Sequence, residues 1–383
     1  MKLSRRGFIG ALGVSTAAGV LSGSTLFSRS AYAQTRKEAM SKVYDGGIIQ
    51  LNQNESARGP GDKVLEAIRS HATKRVGRGY SPDHVNELRN SLADYYGVGN
   101  NNVLLATGST PLLEGAVYAF CSNSKPLVSA VPTYSTSTQT ARRLGIPVKE
   151  VQVDSGMSID LDGMAVASVG AGLVYFCNPN NPTGTVHSPA AVERFVRQIL
   201  AQSPDTRILI DEAYINYVAD GLMETALPLA QEFPNVFISR SFSKAHGLAG
   251  MRVGYALGHE DTLDAINRSW GMGDVNMLAA VAALTAFEGH EHIAAEREEN
   301  ARVRRFTTGV FTELGYEVPP SQTNHLFVNL RMPAAKFRDA CLEQKVSVGR
   351  DFPPLHNSHC RISLGSMEEM EIAAAVFRRV LNS

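Results

Sequence analysis

The sequence predicts an α/β fold: a large domain with a mostly parallel sheet between helices, followed by a smaller α+β domain. Short apolar runs alternate with helical stretches between residues 63 and 257. After Asp261 helical periodicity dominates, and short apolar runs return only beyond residue 325. Strands that alternate with helices are joined by crossover connections, which favour parallel pairing with helices on both faces of the sheet.

The individual elements follow from this periodicity. The predicted helices of the large domain are 63–72, 85–96, 111–120, 135–144 and 188–202, with Ser188 as a capping residue and Pro189 in the first turn of the last one. The predicted strands are 103–106, 127–130, 173–177, 208–210, 236–239 and 253–257. In the small domain, helical character ends at Gly315, strands are predicted at 325–330, 346–348 and 361–364, and a last helix begins at Glu368.

The composition is that of an ordinary globular enzyme, with 44% hydrophobic and 19% charged residues in a chain of 383. Lys plus Arg total 37, as do Asp plus Glu, so bulk charge gives no reason to expect nucleic-acid binding. No Cys/His spacing typical of zinc is present, and we predict no metal site. Four free, mostly buried thiols are expected at Cys121, Cys177, Cys341 and Cys360.

The first 33 residues predict an export signal. A basic start with Arg5 and Arg6 leads into an uncharged stretch, residues 7–28, and the segment closes with Ala31-Tyr32-Ala33. This is the layout of a secretory signal that is cleaved before Gln34. Because glycine, serine and threonine interrupt the apolar stretch, a permanent membrane anchor is disfavoured.

The run Ser4-Arg5-Arg6-Gly7-Phe8-Ile9 resembles the twin-arginine export motif. We therefore expect the twin-arginine export machinery as a partner, no stable membrane insertion after cleavage, and a periplasmic or otherwise extracytoplasmic mature protein. The expected organisation is a signal peptide (1–33), an irregular N-terminal arm (34–61), a large domain (62–268) and a small C-terminal domain (269–383).

Four segments at the ends of predicted strands carry the residues of a candidate site, because ligands of an open parallel sheet bind at the carboxyl ends of its strands. The first segment contains Lys244, whose amine can become a nucleophile when it is desolvated. Around it, Ser241 and Ser243 offer hydroxyls and Arg252 a forked guanidinium to a phosphate. A lone lysine is usually a surface cation, and only this context favours the functional interpretation.

The second segment contains Asp211, which can pair with a protonated ring nitrogen, and Tyr214, which can reach a phenolate oxygen three residues further on. The alternative for Asp211 is a helix cap. The third segment, Asn178–Gly184, is a proline-rich turn that can aim the amide of Asn181 at the same oxygen. The alternative there is an ordinary turn.

The fourth segment places Ser109 and Thr110 at a helix N-terminus, where free N–H groups favour a phosphate. Tyr134, after another strand, can lie over a ligand ring, although such a tyrosine is more often only packed. A reactive amine, a carboxylate for a pyridine nitrogen and a phosphate cradle are together what pyridoxal phosphate (PLP) requires.

Motifs at residues 181–184 (Asn-Pro-Thr-Gly), 211–214 (Asp-Glu-Ala-Tyr), 241–245 (Ser-Phe-Ser-Lys-Ala) and 250–254 (Gly-x-Arg-x-Gly) occur in this order. On these motifs the chain resembles the fold-type-I PLP-dependent aminotransferases of class I/II, and within them the histidinol-phosphate aminotransferase group, over residues 45–383. The resemblance implies the PLP-dependent transferase fold type I, a homodimer and PLP as cofactor.

The resemblance also implies a role for each matched residue. It assigns the Schiff base with PLP and proton transfer to Lys244, the pyridine nitrogen to Asp211, the phenolate oxygen to Asn181 and Tyr214, the phosphate to Ser109, Thr110, Ser241, Ser243 and Arg252, and the ring stack to Tyr134. It further implies that Tyr80 reaches the phosphate of the other subunit and that Arg361 and Arg350 bind substrate. We also assign Asn54, in the arm, to substrate binding.

The sequence therefore predicts a histidinol-phosphate aminotransferase-like enzyme that moves an amino group between an amino acid, or an amino-alcohol phosphate, and a 2-oxo acid or ketone. Two alternatives stay open: a PLP-dependent lyase or decarboxylase on the same scaffold, and a PLP-binding module without turnover. The chain departs from the family at Thr110-Pro111, where many relatives carry an acidic residue, and in its export signal. These departures leave the substrate unidentified.

Overall fold

Eleven strands form three sheets in the residues that the computed structural model describes, 47–78 and 83–382. The strands are β1 (Ile49–Leu51), β2 (Val103–Ala106), β3 (Leu127–Val131), β4 (Val148–Gln152), β5 (Leu173–Cys177), β6 (Arg207–Asp211), β7 (Val236–Ser241), β8 (Gly254–Gly258), β9 (His325–Asn329), β10 (Val346–Val348) and β11 (His359–Ser363). Seven of them make the central sheet, in the order β2-β8-β7-β6-β5-β3-β4. The other four form two small sheets, β1 with β10 and β11 with β9.

Helices connect most of these strands. Those in the described residues are α1 (Asp62–His71), α2 (Asp83–Tyr96), α3 (Thr110–Phe120), α4 (Thr136–Arg143), α5 (Leu161–Ala167), α6 (Pro189–Gln202), α7 (Leu227–Glu232), α8 (Glu260–Ser269), α9 (Met277–Glu288), α10 (His290–Glu313), α11 (Ala334–Glu343) and α12 (Met367–Leu381). Helix α6 begins as predicted, because the Ser188 side chain accepts a hydrogen bond from the Ala191 amide and Pro189 occupies the first turn.

The central sheet is mostly parallel, which confirms the predicted α/β architecture. Only β8 is reversed, and it runs antiparallel to both β2 and β7. The carboxyl ends of the other six strands therefore meet at one edge of the sheet. The reversed strand contributes its amino end to that edge, so the residues just before Gly254 arrive there as well.

Both faces of the sheet are covered, as parallel strands require. Along β6, Ile208 and Ile210 pack into one apolar cluster while Leu209 packs into the cluster on the opposite face, and all three are fully buried. This explains why the strands read as continuous apolar runs. Helix α9 packs against α1 and α2 and joins the first of these clusters. From Ile48 onward the described residues form one compact unit, and the predicted division at 268/269 stays a prediction.

Several strands lie at the predicted residues, among them 103–106, 173–177 and 346–348. The arm differs from the irregular segment that we expected, because β1 pairs in parallel with β10. Strand β4 and helix α5 were not predicted. Strand β4 reads Val-Lys-Glu-Val-Gln and lies at the half-exposed edge of the sheet, where no apolar run is required.

Some sequence predictions fall on residues outside the described ranges. They include the signal peptide (1–33), the first part of the arm, and Tyr80. Within the described ranges, no helix combines the length and the apolar character that are needed to cross a bilayer. All four cysteines are free, and Cys177, Cys341 and Cys360 are buried, which confirms the expectation for the thiols.

Candidate active site

A cavity of about 350 Å³ opens at the edge of the sheet where the strand ends meet. Its volume lies within the range of roughly 300–1,000 Å³ that is usual for small-molecule sites. The residues that line it are Gln53, Glu55, Ser109, Thr110, Tyr134, Cys177, Asn181, Asp211, Ala213, Tyr214, Ser241, Ser243, Lys244, Ala249, Arg252, Arg350 and Arg361. Apart from Asn54 and Tyr80, every predicted site residue lies on this wall.

Lys244 lies in the loop after β7, and its amine points across the cavity towards the arm. The Nζ atom donates hydrogen bonds to the carbonyl oxygens of Gln53 (3.3 Å) and Asn54 (3.2 Å). Burial, followed by the nearby Arg361 cation, lowers the pKa of Lys244 to about 8. About a tenth of such amines are neutral at pH 7, whereas an ordinary lysine is almost entirely protonated. The cavity thus provides a nucleophilic amine.

Asp211 ends β6 with only 3% of its surface exposed. Its Oδ2 accepts a hydrogen bond from the Tyr175 hydroxyl at 2.9 Å, and its Oδ1 accepts one from the Ser239 hydroxyl at 3.0 Å. Burial raises the pKa of Asp211, and these two hydrogen bonds act in the opposite direction. The donors therefore favour the ionised carboxylate, which is the form that can pair with a protonated pyridine nitrogen.

One end of the cavity is built for an anion. The hydroxyl residues Ser109, Thr110, Ser241 and Ser243 surround it together with Arg252. Helix α3 begins here, so its free N–H groups face the same space. Arg252 Nη1 donates to the Ala249 carbonyl at 2.8 Å and lies 3.3 Å from Ser243 Oγ, which holds the guanidinium against this wall.

Close backbone packing shapes this end of the cavity. Gly108 has φ +86°, and a Cβ added there would collide with the Arg252 guanidinium. A Cβ added at Gly254 would collide with the Ser109 amide. Glycine is therefore required at position 108, in the loop that forms the anion site, and at position 254, at the start of the strand that faces this loop.

Two further arginines line the cavity, and they lie close together, because their guanidinium carbons are 5.1 Å (Arg361) and 5.2 Å (Arg350) from the centre of the Phe352 ring. Arg361, on β11, is 4% exposed and donates to Asn181 Oδ1 at 3.0 Å and to the Asn52 carbonyl at 2.6 Å. Burial lowers the pKa of Arg361 to about 10. Its Nε is buried without a hydrogen-bond partner among the described residues. Arg350 is exposed, and its guanidinium carbon lies 5.7 Å from the centre of the Tyr134 ring.

The two remaining predicted residues are not on the wall of the cavity. Asn54 is buried beside it, and its side chain bonds to Tyr214, His325 and Ser363. Substrate contact by Asn54 stays a prediction that this geometry does not support directly. Tyr80 lies outside the described residues, and its predicted phosphate contact is untested.

Sequence reasoning missed several residues of the site. Gln53 and Glu55 line the cavity because β1 draws the arm against it, and the arm motif was the only signal for them. Tyr175 lies in the middle of β5 and His325 begins β9, where each reads as an ordinary strand residue. Only the neighbouring strands reveal what their polar atoms contact.

Comparison with known proteins identifies the family. Residues 46–377 match the family described as aminotransferase class I and II. The chain belongs to this family. Membership confirms the predicted fold type, the activity of a transaminase and PLP as its cofactor.

Relatives of this aminotransferase include a histidinol-phosphate aminotransferase of Gluconacetobacter diazotrophicus, 34% identical over 338 residues that cover 87% of this chain and 92% of the relative. An aromatic amino acid aminotransferase of Mycobacteroides abscessus is 32% identical over 325 residues, or 84% and 90% of the two chains. Among solved structures, a histidinol-phosphate aminotransferase of Sinorhizobium meliloti in complex with PLP superposes with a TM-score of 0.80 at 26% identity, covering 90% of this chain and 94% of that one.

The residues of the cavity fit the cofactor of this aminotransferase. Lys244 would hold its aldehyde carbon, Asp211 its pyridine nitrogen, and Arg252 with the surrounding hydroxyls its phosphate. The fit rests on three observations: a lysine of lowered pKa, a buried carboxylate that accepts two hydrogen bonds, and an anion end lined by hydroxyl residues and Arg252 at the start of α3.

The lowered pKa of Lys244 predicts how cofactor-free protein takes up PLP. Because the neutral amine is the reacting form, the rate of incorporation should rise with pH to a midpoint near 8 and then level off. Absorbance kinetics from about pH 6 to about pH 11 would measure this midpoint. Lys244→Ala should give no covalent uptake at any pH. A midpoint at the ordinary lysine value, about 10.4, would contradict the lowered pKa.

The hydrogen bond from Tyr175 to Asp211 predicts a loss of cofactor affinity in Tyr175→Phe. Removing a donor to a buried carboxylate disfavours its ionised form, and we expect PLP to bind about tenfold more weakly at pH 7. Equilibrium dialysis would measure the change. Tyr217→Phe is a matched control, since Tyr217 is also fully buried but its hydroxyl bonds to Glu296. Equal losses in the two variants would count against the role of Tyr175.

Proposed function

We propose that the chain is an exported, homodimeric PLP-dependent aminotransferase whose substrates carry at least one anionic group beside the reacting carbon. The amino group would move between an amino acid, or an amino-alcohol phosphate, and a 2-oxo acid or ketone. The observation that carries the proposal is the pair of neighbouring guanidinium groups, Arg361 and Arg350, on the wall of the cavity.

The charges around the cavity do not balance. Four cationic residues line it (Arg361, Arg350, Arg252 and Lys244) against two carboxylates, Glu55 and Asp211, and none of the four lies within ion-pair distance of a carboxylate in the described part of the chain. A buried guanidinium without an anionic partner is costly even when it is hydrogen-bonded, and a bidentate arginine suits a carboxylate or a phosphate. The phosphate of PLP would neutralise the charge of Arg252. An anionic group of the substrate would neutralise Arg361, which lines the cavity.

The same geometry supports a proton-transfer role for Lys244. PLP, when bound, supplies an aldehyde that condenses with amines and a ring that accepts the electron pair of the broken Cα–H bond. With PLP bound, Lys244 Nζ would be the group that carries a proton between the substrate Cα and the C4′ atom of the cofactor. Asp211 would pair with the pyridine nitrogen, and Arg361 would hold an anionic group of the substrate on the same wall.

The names of the relatives support two candidate classes of substrate. Their names include both histidinol-phosphate and aromatic amino acid aminotransferases. A phosphate ester would engage Arg350 as well as Arg361, whereas an aromatic amino acid would need only Arg361. The exposed Arg350 is therefore proposed to select among substrates rather than to support the reaction itself.

Dimerisation and export complete the proposal and rest on the sequence. Tyr80, in Gly79-Tyr80-Ser81-Pro82, is proposed to contact the phosphate in the other subunit. Arg5 and Arg6 are proposed to direct the folded protein through the twin-arginine route to an extracytoplasmic compartment.

Substitution of Arg361 tests the proposed substrate site. Losing one partner of a desolvated charge pair costs about 2–5 kcal/mol of binding free energy. Arg361→Ala should therefore raise the Michaelis constant of anionic substrates by a factor of between about 30 and several thousand. The absorbance of bound PLP should persist. Arg361→Lys keeps the charge without the fork and should recover only part of the loss. Arg350→Ala should affect mainly phosphate esters.

A screen of amino acids against several 2-oxo acids gives the kinetic readout. Transfer that depends on the acceptor supports an aminotransferase, whereas ammonia or carbon dioxide released without an acceptor would indicate a lyase or a decarboxylase. Unchanged kinetics in Arg361→Ala across the whole panel would remove this arginine from the substrate site.

Replacement of both signal arginines tests the proposed export. With Arg5→Lys and Arg6→Lys, active protein that retains its signal should accumulate in the cytoplasm. Cell fractionation and the mass of the N-terminal peptide would measure this outcome. Normal processing of the doubly substituted precursor would show that another route carries the protein.

A further inference from the structure

Asn54 lies just after β1, at the point where the arm meets the cavity. It is 1% exposed and adopts φ +55°, a left-handed conformation that asparagine and glycine tolerate best. Its carbonyl oxygen accepts hydrogen bonds from Lys244 Nζ at 3.2 Å and from Asn324 Nδ2 at 3.0 Å. Hydrogen bonds from Lys244 and Asn324 thus hold the backbone of Asn54 in place.

The side-chain amide of Asn54 is equally constrained. Its Nδ2 lies 2.9 Å from the Tyr214 hydroxyl and 2.9 Å from His325 Nδ1, and its Oδ1 accepts a hydrogen bond from Ser363 Oγ at 2.7 Å. An amide nitrogen carries two hydrogens, so each has one partner. Ser363 Oγ already accepts a hydrogen bond from the Asn54 backbone N–H at 2.9 Å, so its own proton is donated to Asn54 Oδ1, and this fixes the orientation of the amide.

His325 must act as an acceptor in this arrangement. It is fully buried, and burial, followed by the Arg361 and Lys244 cations, lowers its pKa well below the usual value. The ring is therefore neutral, and its Nδ1 accepts from Asn54 when the other nitrogen carries the proton. The ring also packs edge-on against Tyr214, with centroids 5.2 Å apart.

These contacts leave the proton of Tyr214 unused. The hydroxyl oxygen accepts from Asn54, and within the described residues no other side chain forms a hydrogen bond with it. The charged groups that face Tyr214 are Arg361 and Lys244, both cations, and neither accepts a proton. Tyr214 lines the cavity, so its O–H can donate only towards a ligand there.

We propose that Asn54 is a positioning residue that turns the hydroxyl proton of Tyr214 onto the phenolate oxygen of PLP, with His325 and Ser363 fixing the amide. This role differs from the substrate contact predicted for Asn54. It rests on PLP binding in this cavity with its phenolate oxygen at Tyr214.

The proposal has a spectroscopic consequence. A hydrogen bond donated to the phenolate oxygen stabilises its negative charge, so the bound cofactor holds its own proton less tightly. Losing that donation should raise the pH at which the bound cofactor changes its absorbance. For one hydrogen bond we expect a shift of about half to one pH unit.

A double-mutant cycle tests the proposal on holoenzyme. Asn54→Gly removes the amide without straining the left-handed backbone, and Tyr214→Phe removes the hydroxyl. We expect each variant to raise the absorbance midpoint, and the double variant to match Tyr214→Phe alone. Shifts that add in the double variant would overturn the proposal, because Asn54 would then act independently of the hydroxyl.

The histidines of the small β9–β11 sheet give a second, matched comparison. His325→Leu removes the acceptor that fixes Asn54, whereas His359→Leu removes another buried histidine that contacts neither Asn54 nor Tyr214. His325→Leu should raise the midpoint, and His325→Gln, which can still accept, should restore it. An equal shift in His359→Leu would show that the effect comes from loss of packing in the small sheet, and it would overturn the proposed role of His325 and Asn54.

The readouts separate this proposal from the function on which it rests. If the unaltered protein shows no titratable cofactor absorbance, the PLP site itself is wrong. If it titrates but Asn54→Gly leaves the midpoint unchanged, only the role of Asn54 is wrong. Should Asn54→Gly fail to bind PLP, the comparison of the two His325 variants decides the same question.

Discussion

The burial of two cationic residues, Lys244 and Arg361, on the wall of one cavity is the constraint on which much of the site depends. Loss of water disfavours the charge of each, and Arg361 further disfavours the charge of Lys244. Burial and this repulsion together lower the pKa of Lys244 to about 8, and burial lowers that of Arg361 to about 10. The same excess of positive charge creates the demand for anions that the cofactor phosphate and the substrate are proposed to meet. Reactivity of the amine and affinity for the ligand thus have one physical origin.

The direction of a single strand completes this electrostatic arrangement. A fully parallel sheet would bring only carboxyl ends to the edge. Because β8 is antiparallel to both neighbours, Arg252, just before it, reaches the phosphate end beside residues that follow β2 and β7. Glycines at 108 and 254 allow the loop and the strand to approach closely enough. The phosphate cradle is therefore built from segments about 140 residues apart in the chain.

Buried polar side chains beside the cavity control the states of those that line it. Tyr175 and Ser239 favour ionised Asp211, although burial alone would favour the neutral acid. Asn54 and His325 orient the hydroxyl of Tyr214. Such residues do not line the cavity, yet they influence the charge of a carboxylate and the direction of a hydroxyl proton. The function of the cavity depends on them as much as on its lining.

The sequence by itself determined four parts of the site: Lys244, Asp211, the turn at residues 178–184 and the phosphate segment at Ser109. Each of them follows a strand and has a local sequence motif. Residues such as Lys244 and Asn181 can therefore be assigned from the order of the amino acids alone. What only the tertiary structure decided is the set of contacts between distant segments: β1 against β10, Asn54 against Tyr214, and Tyr175 against Asp211. These contacts depend on strand register and on side-chain direction across the sheet. Strand register and side-chain direction produce no periodic or compositional pattern in the sequence. A polar residue inside a strand therefore gives the same sequence pattern whether or not its side chain has a partner.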